Sequence, residues 1–254
     1  MEKKTKNLLF TFLYLLAFYL AIRFIPFEKL DFTTSLPSLL QVILLLVLFC
    51  WMLYEIRKNG LTFRKKENHL SYLCCLPLIV GCMSNILYCL IFQKEMTISF
   101  DAVSFIFTTF KTLSGVAVEE LLFRFFFLEF LLLFLKDGKW KNILVILYSS
   151  LAFSLMHVIN FYGNAPLSVL LQIGYTFVLG LALGFVALMF ETPSLVILGH
   201  FLFNYLNTDV YVCLYNVDID ASYVLFSVGI VIILFLYLLV LYDLDRRKNQ
   251  RDTY

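Results

Sequence analysis

Six polar side chains stand within long apolar stretches of this chain and could carry out chemistry together. They are Glu119, Glu120, Arg124, His157, His200 and Asn204. Ionisable groups inside a membrane span are costly, so they usually face the protein interior and mark function. Carboxylates, imidazoles and an amide around one cavity are groups that move protons and stabilise an oxyanion. The set therefore indicates a buried hydrolytic site.

The two adjacent glutamates are expected to have different roles. Glu120 and Arg124 are four residues apart with the acid first, so they share a helix face and should pair. Glu119 points about 100° away around the helix and has no partner on its own helix. This arrangement favours Glu119 as a general base, with Glu120 and Arg124 as structural support. The plainer alternative is that both glutamates pair with basic groups of other helices.

His157 is expected to lie opposite Glu119. The two residues are equidistant along the chain from Gly138, which suits the turn of an antiparallel helical hairpin at Lys136–Lys141. His200 and Asn204 are four residues apart and share a helix face as well. Glu119, His157, His200 and Asn204 are therefore the predicted catalytic residues.

Two mechanisms are open for these residues. In the first, these groups hold zinc or another divalent cation, which activates a bound water. In the second, which needs no metal, Glu119 activates water and a histidine protonates the leaving amine, while Asn204 donates to the developing oxyanion. Both mechanisms are hydrolytic.

The elements that must position these residues are membrane-spanning helices. At 61% hydrophobic and 15% charged residues, the chain is too apolar for a soluble domain. Apolar runs lie at about 8–25, 36–55, 70–92, 101–135, 142–160, 167–190, 194–210 and 222–242. Most could cross a hydrocarbon core of about 30 Å. We predict an all-α membrane protein, a polytopic bundle of about eight transmembrane helices. Residues 1–254 would form a single transmembrane domain, with the catalytic core at about 101–210.

Basic residues predict the orientation of the bundle. They precede the first span, follow the last, and lie between spans two and three and between spans four and five. The residues are Lys3, Lys4, Lys6, Arg57, Lys58, Arg64, Lys65, Lys66, Lys136, Lys139, Lys141, Arg246, Arg247, Lys248 and Arg251. With eight spans, all lie on one side of the membrane, so both termini are predicted to be cytoplasmic.

The run 101–135 is too long for one perpendicular span, since a helix of that length would measure about 50 Å. It must tilt, protrude or break. His200 also lies much nearer its cytoplasmic turn at Glu191–Pro193 than Glu119 does to its own turn. We therefore expect the cytoplasmic ends of the fourth and fifth spans to project beyond the bilayer or bend along it, which places the site in the cytoplasmic half.

Three motifs in order resemble the CPBP family, the intramembrane proteases related to type II CAAX prenyl endopeptidases and to bacterial abortive-infection proteins. They are Glu119-Glu120-x-x-x-Arg124, Phe153-x-x-x-His157 and His200-x-x-x-Asn204. Phe125 departs from the pattern, since many members have glycine there. The resemblance implies an intramembrane endopeptidase with Glu119 as the water-activating residue. It leaves open whether His157 and His200 are metal ligands, as in a metalloprotease, or direct catalytic groups.

The expected partners are a membrane-associated peptide or protein substrate and the lipid bilayer, with no nucleic acid, in a bacterial plasma membrane. A non-catalytic regulator or bacteriocin-immunity protein that uses the same cavity for binding is the main alternative. A transporter is disfavoured because the ten glycines and five prolines are scattered without matching halves.

Overall fold

The computed structural model describes residues 3–25, 36–61, 81, 83–92, 102–162, 165–190 and 193–206, together with part of 225–243. These residues form helices and turns and include no strand, so the predicted all-α class is confirmed for them. Arg64, Lys65, Lys66 and the basic cluster at 246–251 lie outside the described residues, as does the turn at 191–192.

The helices follow the predicted apolar runs. They are α1 (Lys3–Phe24), α2 (Leu36–Lys58), α3 (Ser84–Ile91), α4 (Ala102–Glu120), a π-helical segment (Leu121–Phe127), α5 (Leu128–Phe134), α6 (Lys141–Met156), a 3₁₀ segment (His157–Tyr162), α7 (Pro166–Phe190) and α8 (Pro193–Asn204). The last apolar run is helical at the positions described between 225 and 243.

Within the described ranges, four helices are long and apolar enough to cross a membrane. They are Lys3–Phe24, Leu39–Lys58, Lys141–Tyr162 and Pro166–Leu188. Large apolar side chains on their outer faces, such as Phe10, Phe18 and Leu167, are exposed and suit contact with lipid. These helices indicate an integral membrane protein. The count of eight spans and the cytoplasmic termini stay predictions.

The overlong run is interrupted by the π-helical segment between α4 and α5. Such segments often occur at functional sites and disturb the regular backbone ladder. The hydroxyl of Ser149 on α6 donates a 3.0 Å hydrogen bond to the carbonyl of Phe123 within the segment. This bond satisfies a backbone acceptor and ties the interruption to the next helix.

The predicted turn between the two helices is confirmed. α5 ends at Phe134, and α6 begins at Lys141, whose amide donates to the carbonyl of Gly138 at 3.1 Å. The Lys141 ammonium donates a 2.7 Å hydrogen bond to Asp137. That bond lowers the pKa of the exposed Asp137 carboxyl.

The core lies where α1 and α2 pack beside the π-helical segment. α1 buries one face, consisting of Leu8, Phe12, Leu15, Tyr19 and Ile22. Phe12 stacks on Phe127 with ring centroids 4.7 Å apart and meets Phe123 edge to face at 5.9 Å. α1 is thereby placed against the segment that follows the two glutamates.

α6 and α7 approach each other closely through small residues. A β-carbon added to Gly180 would lie 3.0 Å from the Cβ of Ser150, and one added to Gly184 would lie 3.3 Å from Ile146. Small residues let membrane helices approach so that their backbones are nearly in contact. Ser154 of α6 donates a 2.6 Å hydrogen bond to the carbonyl of Ile173 on α7. This pair of helices presents Phe153 and His157 to the rest of the site.

Candidate active site

Glu120 connects two helices through its carboxylate. Oε1 accepts a 2.7 Å hydrogen bond from Nδ1 of His200 on α8, and Oε2 lies 3.5 Å from Nε of Arg124. Glu120 and His200 are 1% and 2% exposed. The predicted Glu120–Arg124 pair is therefore present, and His200 is held by the same carboxylate.

Asn204 completes this half of the site. Its Nδ2 lies 3.1 Å from Nε2 of His200, one helical turn away. Because a carboxylate can only accept, the bond to Glu120 assigns the proton of His200 to Nδ1. Nε2 then accepts from the Asn204 amide, so both ring nitrogens of His200 are engaged.

Arg124 is buried without a complete set of hydrogen bonds. None of its three guanidinium nitrogens makes a hydrogen bond to a described residue. Two features compensate for the charge. One is the ion pair with Glu120, and the other is the ring of Phe153, which lies 4.3 Å from Cζ in a cation–π contact.

Phe153 stands between the two histidines. Its ring is fully buried and meets His157 at 5.2 Å and His200 at 5.5 Å between ring centroids, in both cases edge to face. Arg124 lies over the same ring. One aromatic side chain therefore sets the positions of both imidazoles and one guanidinium.

Glu119 faces the other half of the site. Its Oε1 accepts a hydrogen bond from the hydroxyl of Tyr19 on α1. His157 lies at the end of α6, where Nδ1 donates to the carbonyl of Phe153 at 3.1 Å. The proton of neutral His157 is thus on Nδ1, and Nε2 carries the lone pair.

Two cavities meet Glu119. The smaller has a volume of about 10 Å³ and is lined by Tyr19, Glu119, His157 and Asn160, among others. This volume is about that of one water molecule by the same measure. The larger, of about 360 Å³, lies between α1, α2, α4 and α8 and is lined by Glu119, Asn204 and Lys111, among others.

The four predicted catalytic residues thus lie around one region, in two connected groups. Glu119 and His157 line the small cavity, as their equal distance from Gly138 predicts. His200 is hydrogen-bonded to Glu120, which was expected to provide structural support together with Arg124. The polar groups expected near the cytoplasmic half are therefore brought together; their depth in a bilayer stays a prediction.

The contribution of α1 was not predicted, because its apolar sequence resembles that of any membrane span. Tyr19 bonds to Glu119, and Arg23 lines both cavities and lies 3.5 Å from the Asn160 side chain through Nη2. A usable signal was present, since Tyr19 and Arg23 are four residues apart and so share one helix face. Phe153 was predicted only as the first residue of the Phe153-x-x-x-His157 motif, with no role of its own.

A metal held by both His157 and His200 would need a lone pair on each imidazole. Nε2 of His157 carries one, whereas Nε2 of His200 uses its lone pair to accept from the Asn204 amide and Nδ1 of His200 bears the proton bonded to Glu120. Among the residues that the structure describes, no group of three or more His, Cys, Asp or Glu side chains could hold a metal ion. A divalent cation at His157 and His200 therefore stays a prediction.

Comparison with known proteins supports the family resemblance that the three motifs indicate. A family model described as type II CAAX prenyl endopeptidase Rce1-like matches residues 101–206, somewhat under half of the 254 residues. No curated protein and no solved structure matches the chain. The matched segment contains all six polar residues from Glu119 to Asn204 and excludes α1. The resemblance to the CPBP family drawn from the three motifs is therefore confirmed over residues 101–206.

Proposed function

We propose that this protein is an intramembrane endopeptidase that hydrolyses a peptide bond of a membrane-associated peptide or protein. One observation carries the proposal. Glu119 and His157 line a cavity with room for about one water, inside the segment that matches an endopeptidase family. A carboxylate and an imidazole beside one water are the groups that general acid–base hydrolysis requires.

In the proposed reaction Glu119 is the general base. Its Oε1 is held by Tyr19, and Oε2 accepts no hydrogen bond from a described residue, which leaves that oxygen for water. Glu119 takes a proton from the water as the water oxygen attacks the carbonyl carbon. Glu119 then passes this proton to Nε2 of His157, whose Nδ1–H stays bonded to the Phe153 carbonyl. The imidazolium gives the Nε2 proton to the leaving nitrogen as the C–N bond breaks.

Asn204 is proposed to donate to the oxyanion. It lines the larger cavity together with Glu119, and His200 holds its amide. His200 is in turn held by Glu120, so a chain of hydrogen bonds fixes the donor before the substrate arrives. Preorganised donors of this kind stabilise the transition state because they need not reorient during the reaction.

The larger cavity is the proposed place for substrate. Its volume of about 360 Å³ is within the range of small-ligand pockets. Residues of α2 and α4 line it together with Glu119. It would receive an extended segment of a membrane-associated chain, in a bacterial plasma membrane as expected from the sequence.

Turnover by purified protein tests this function. We expect folded wild type in nanodiscs to cleave members of a pooled library of membrane-proximal peptides. We expect Glu119→Gln to lower kcat by at least about 10²-fold, the contribution of a general base. Glutamine keeps an oxygen that can accept from Tyr19, so the melting temperature of the variant should match that of wild type. Because the proposed base is the Glu119 carboxylate and this mechanism requires no metal, chelator should leave cleavage unchanged.

Each result has a distinct meaning. If chelator abolishes cleavage and zinc restores it, the attacking water is bound to a metal rather than activated by Glu119 alone. Turnover that survives Glu119→Gln would contradict the assignment of the base. If folded wild type cleaves nothing in a broad library, the alternative of a non-catalytic regulator or bacteriocin-immunity protein would gain support.

A further inference from the structure

α1 lies outside the matched segment and yet contributes to the site. Its buried face packs on the π-helical segment that directly follows the two glutamates, with Phe12 held between Phe123 and Phe127. Tyr19 lies seven residues after Phe12, two helical turns further on and on the same face. The packing of α1 therefore determines where the Tyr19 hydroxyl is placed.

Tyr19 is 1% exposed, and its hydroxyl donates to Oε1 of Glu119. A buried tyrosine needs a partner for its hydroxyl, so a purely structural contact is the plainer explanation. Three further facts point beyond it. The partner is the proposed general base, Tyr19 lines both cavities that meet that base, and no residue in the described ranges donates to the base's other carboxylate oxygen.

We propose that Tyr19 is a positioning residue for Glu119, so that the functional catalytic unit consists of α1 together with residues 101–206. This inference rests on the proposed function. A carboxylate with one oxygen held cannot rotate freely, and its second oxygen stays directed at one place. General base catalysis depends on such placement, since a reacting group that is loose by about 1 Å loses much of its effect.

Tyr19→Phe tests the inference because it removes one hydroxyl and keeps the buried ring. We expect kcat to fall about 10- to 100-fold, the usual range for outer-shell residues that orient a reacting group. KM should stay close to wild type, since phenylalanine keeps the ring that lines the larger cavity. The melting temperature should fall only modestly, because one buried hydrogen bond is lost while the ring packing is kept.

Tyr14→Phe is the matched control. Tyr14 lies on the same helix, where its ring stacks on Trp51 of α2 with ring centroids 5.3 Å apart, and neither residue is part of the site. This variant should keep wild-type kcat. If both variants lower kcat equally, or if Tyr19→Phe lowers kcat only in parallel with melting temperature, the contact is structural and the inference is wrong.

A second measurement does not depend on turnover. Infrared difference spectra of wild type against Glu119→Gln isolate the carboxylate band of Glu119. We expect that band to shift in Tyr19→Phe and to stay in place in Tyr14→Phe. An unshifted band would overturn the contact itself.

The two proposals can fail separately. Cleavage by wild type that is lost in Glu119→Gln and retained in Tyr19→Phe would overturn only the role of Tyr19. A wild type that cleaves no substrate would overturn the proposed function, and with it the catalytic role of Tyr19.

Discussion

At the scale of single residues, Glu119 and Glu120 illustrate how neighbours in a helix acquire different surroundings. Glu120 contacts a guanidinium and an imidazole, and it is almost completely buried. Glu119 accepts a hydrogen bond from the Tyr19 hydroxyl and lines two cavities, both of which Arg23 also lines. A carboxylate surrounded by positive or hydrogen-bonding groups is suited to holding structure, whereas one beside open volume can exchange a proton with water.

This difference predicts opposite effects of substitution. Glu120→Ala leaves a buried Arg124 without its ion-pair partner and His200 without its acceptor. Removal of one member of a buried pair costs about 3–5 kcal/mol. We therefore expect Glu120→Ala and Arg124→Ala to lower the yield of folded protein and the melting temperature, as measured by fluorescence size-exclusion chromatography and nanoDSF.

Glu119→Gln is the comparison for this prediction, because it changes the neighbouring residue and leaves the ion pair intact. If all three variants lose folded protein to the same extent, the division between a catalytic and a structural glutamate is wrong.

At the scale of helices, the approach of α6 to α7 sets the room around Arg124. A β-carbon on Gly180 would lie 3.0 Å from the Ser150 Cβ and 3.3 Å from Nη2 of Arg124. The first neighbour is attached directly to backbone and can yield little. We expect Gly180→Ala to separate the two helices and to destabilise the protein by about 1–3 kcal/mol, as overpacking does.

Gly174→Ala is the control on the same helix, since a β-carbon there meets nothing within 4 Å. It should leave the melting temperature unchanged or raise it slightly, because alanine favours helix more than glycine does. Equal melting temperatures for the two variants would contradict the close contact of α6 with α7.

The helices were largely predictable from the sequence, and their rotations were not. Apolar runs placed each described helix, and Gly138 placed the turn between α5 and α6. Spacing by four residues predicted the Glu120–Arg124 pair, because both side chains are on one helix. Whether His200 meets Glu119 or Glu120 depends on how α8 and α4 are rotated about their axes, and the π-helical segment adds a shift that composition does not encode.

Tyr19 was missed for a related reason. The four-residue spacing of Tyr19 and Arg23 places both on one face of α1, but it does not show which neighbouring helix that face contacts. Its partner lies on a helix far away in the chain, so only the packing of α1 on the π-helical segment brings the hydroxyl to Glu119.

At the scale of the whole molecule, the predicted orientation remains open to a direct test. The basic clusters predict that both termini face the cytoplasm, which requires an even number of spans. We expect GFP fused to either end to be fluorescent in bacterial cells and alkaline phosphatase fused to either end to be inactive. Opposite results at the two ends would require an odd number of spans.

The hydrogen bonds of the site join residues far apart in the chain. Tyr19 and Glu119 are separated by 100 residues, and Glu120 and His200 by 80. Spans enter a bilayer in the order of synthesis, so Glu119 meets Tyr19 only after α4 has followed α1, and Asn204 arrives with α8. A chain still being translated therefore has no complete site. Under the proposed function, newly made protein would stay inactive until α8 is inserted, because the site is incomplete before that point.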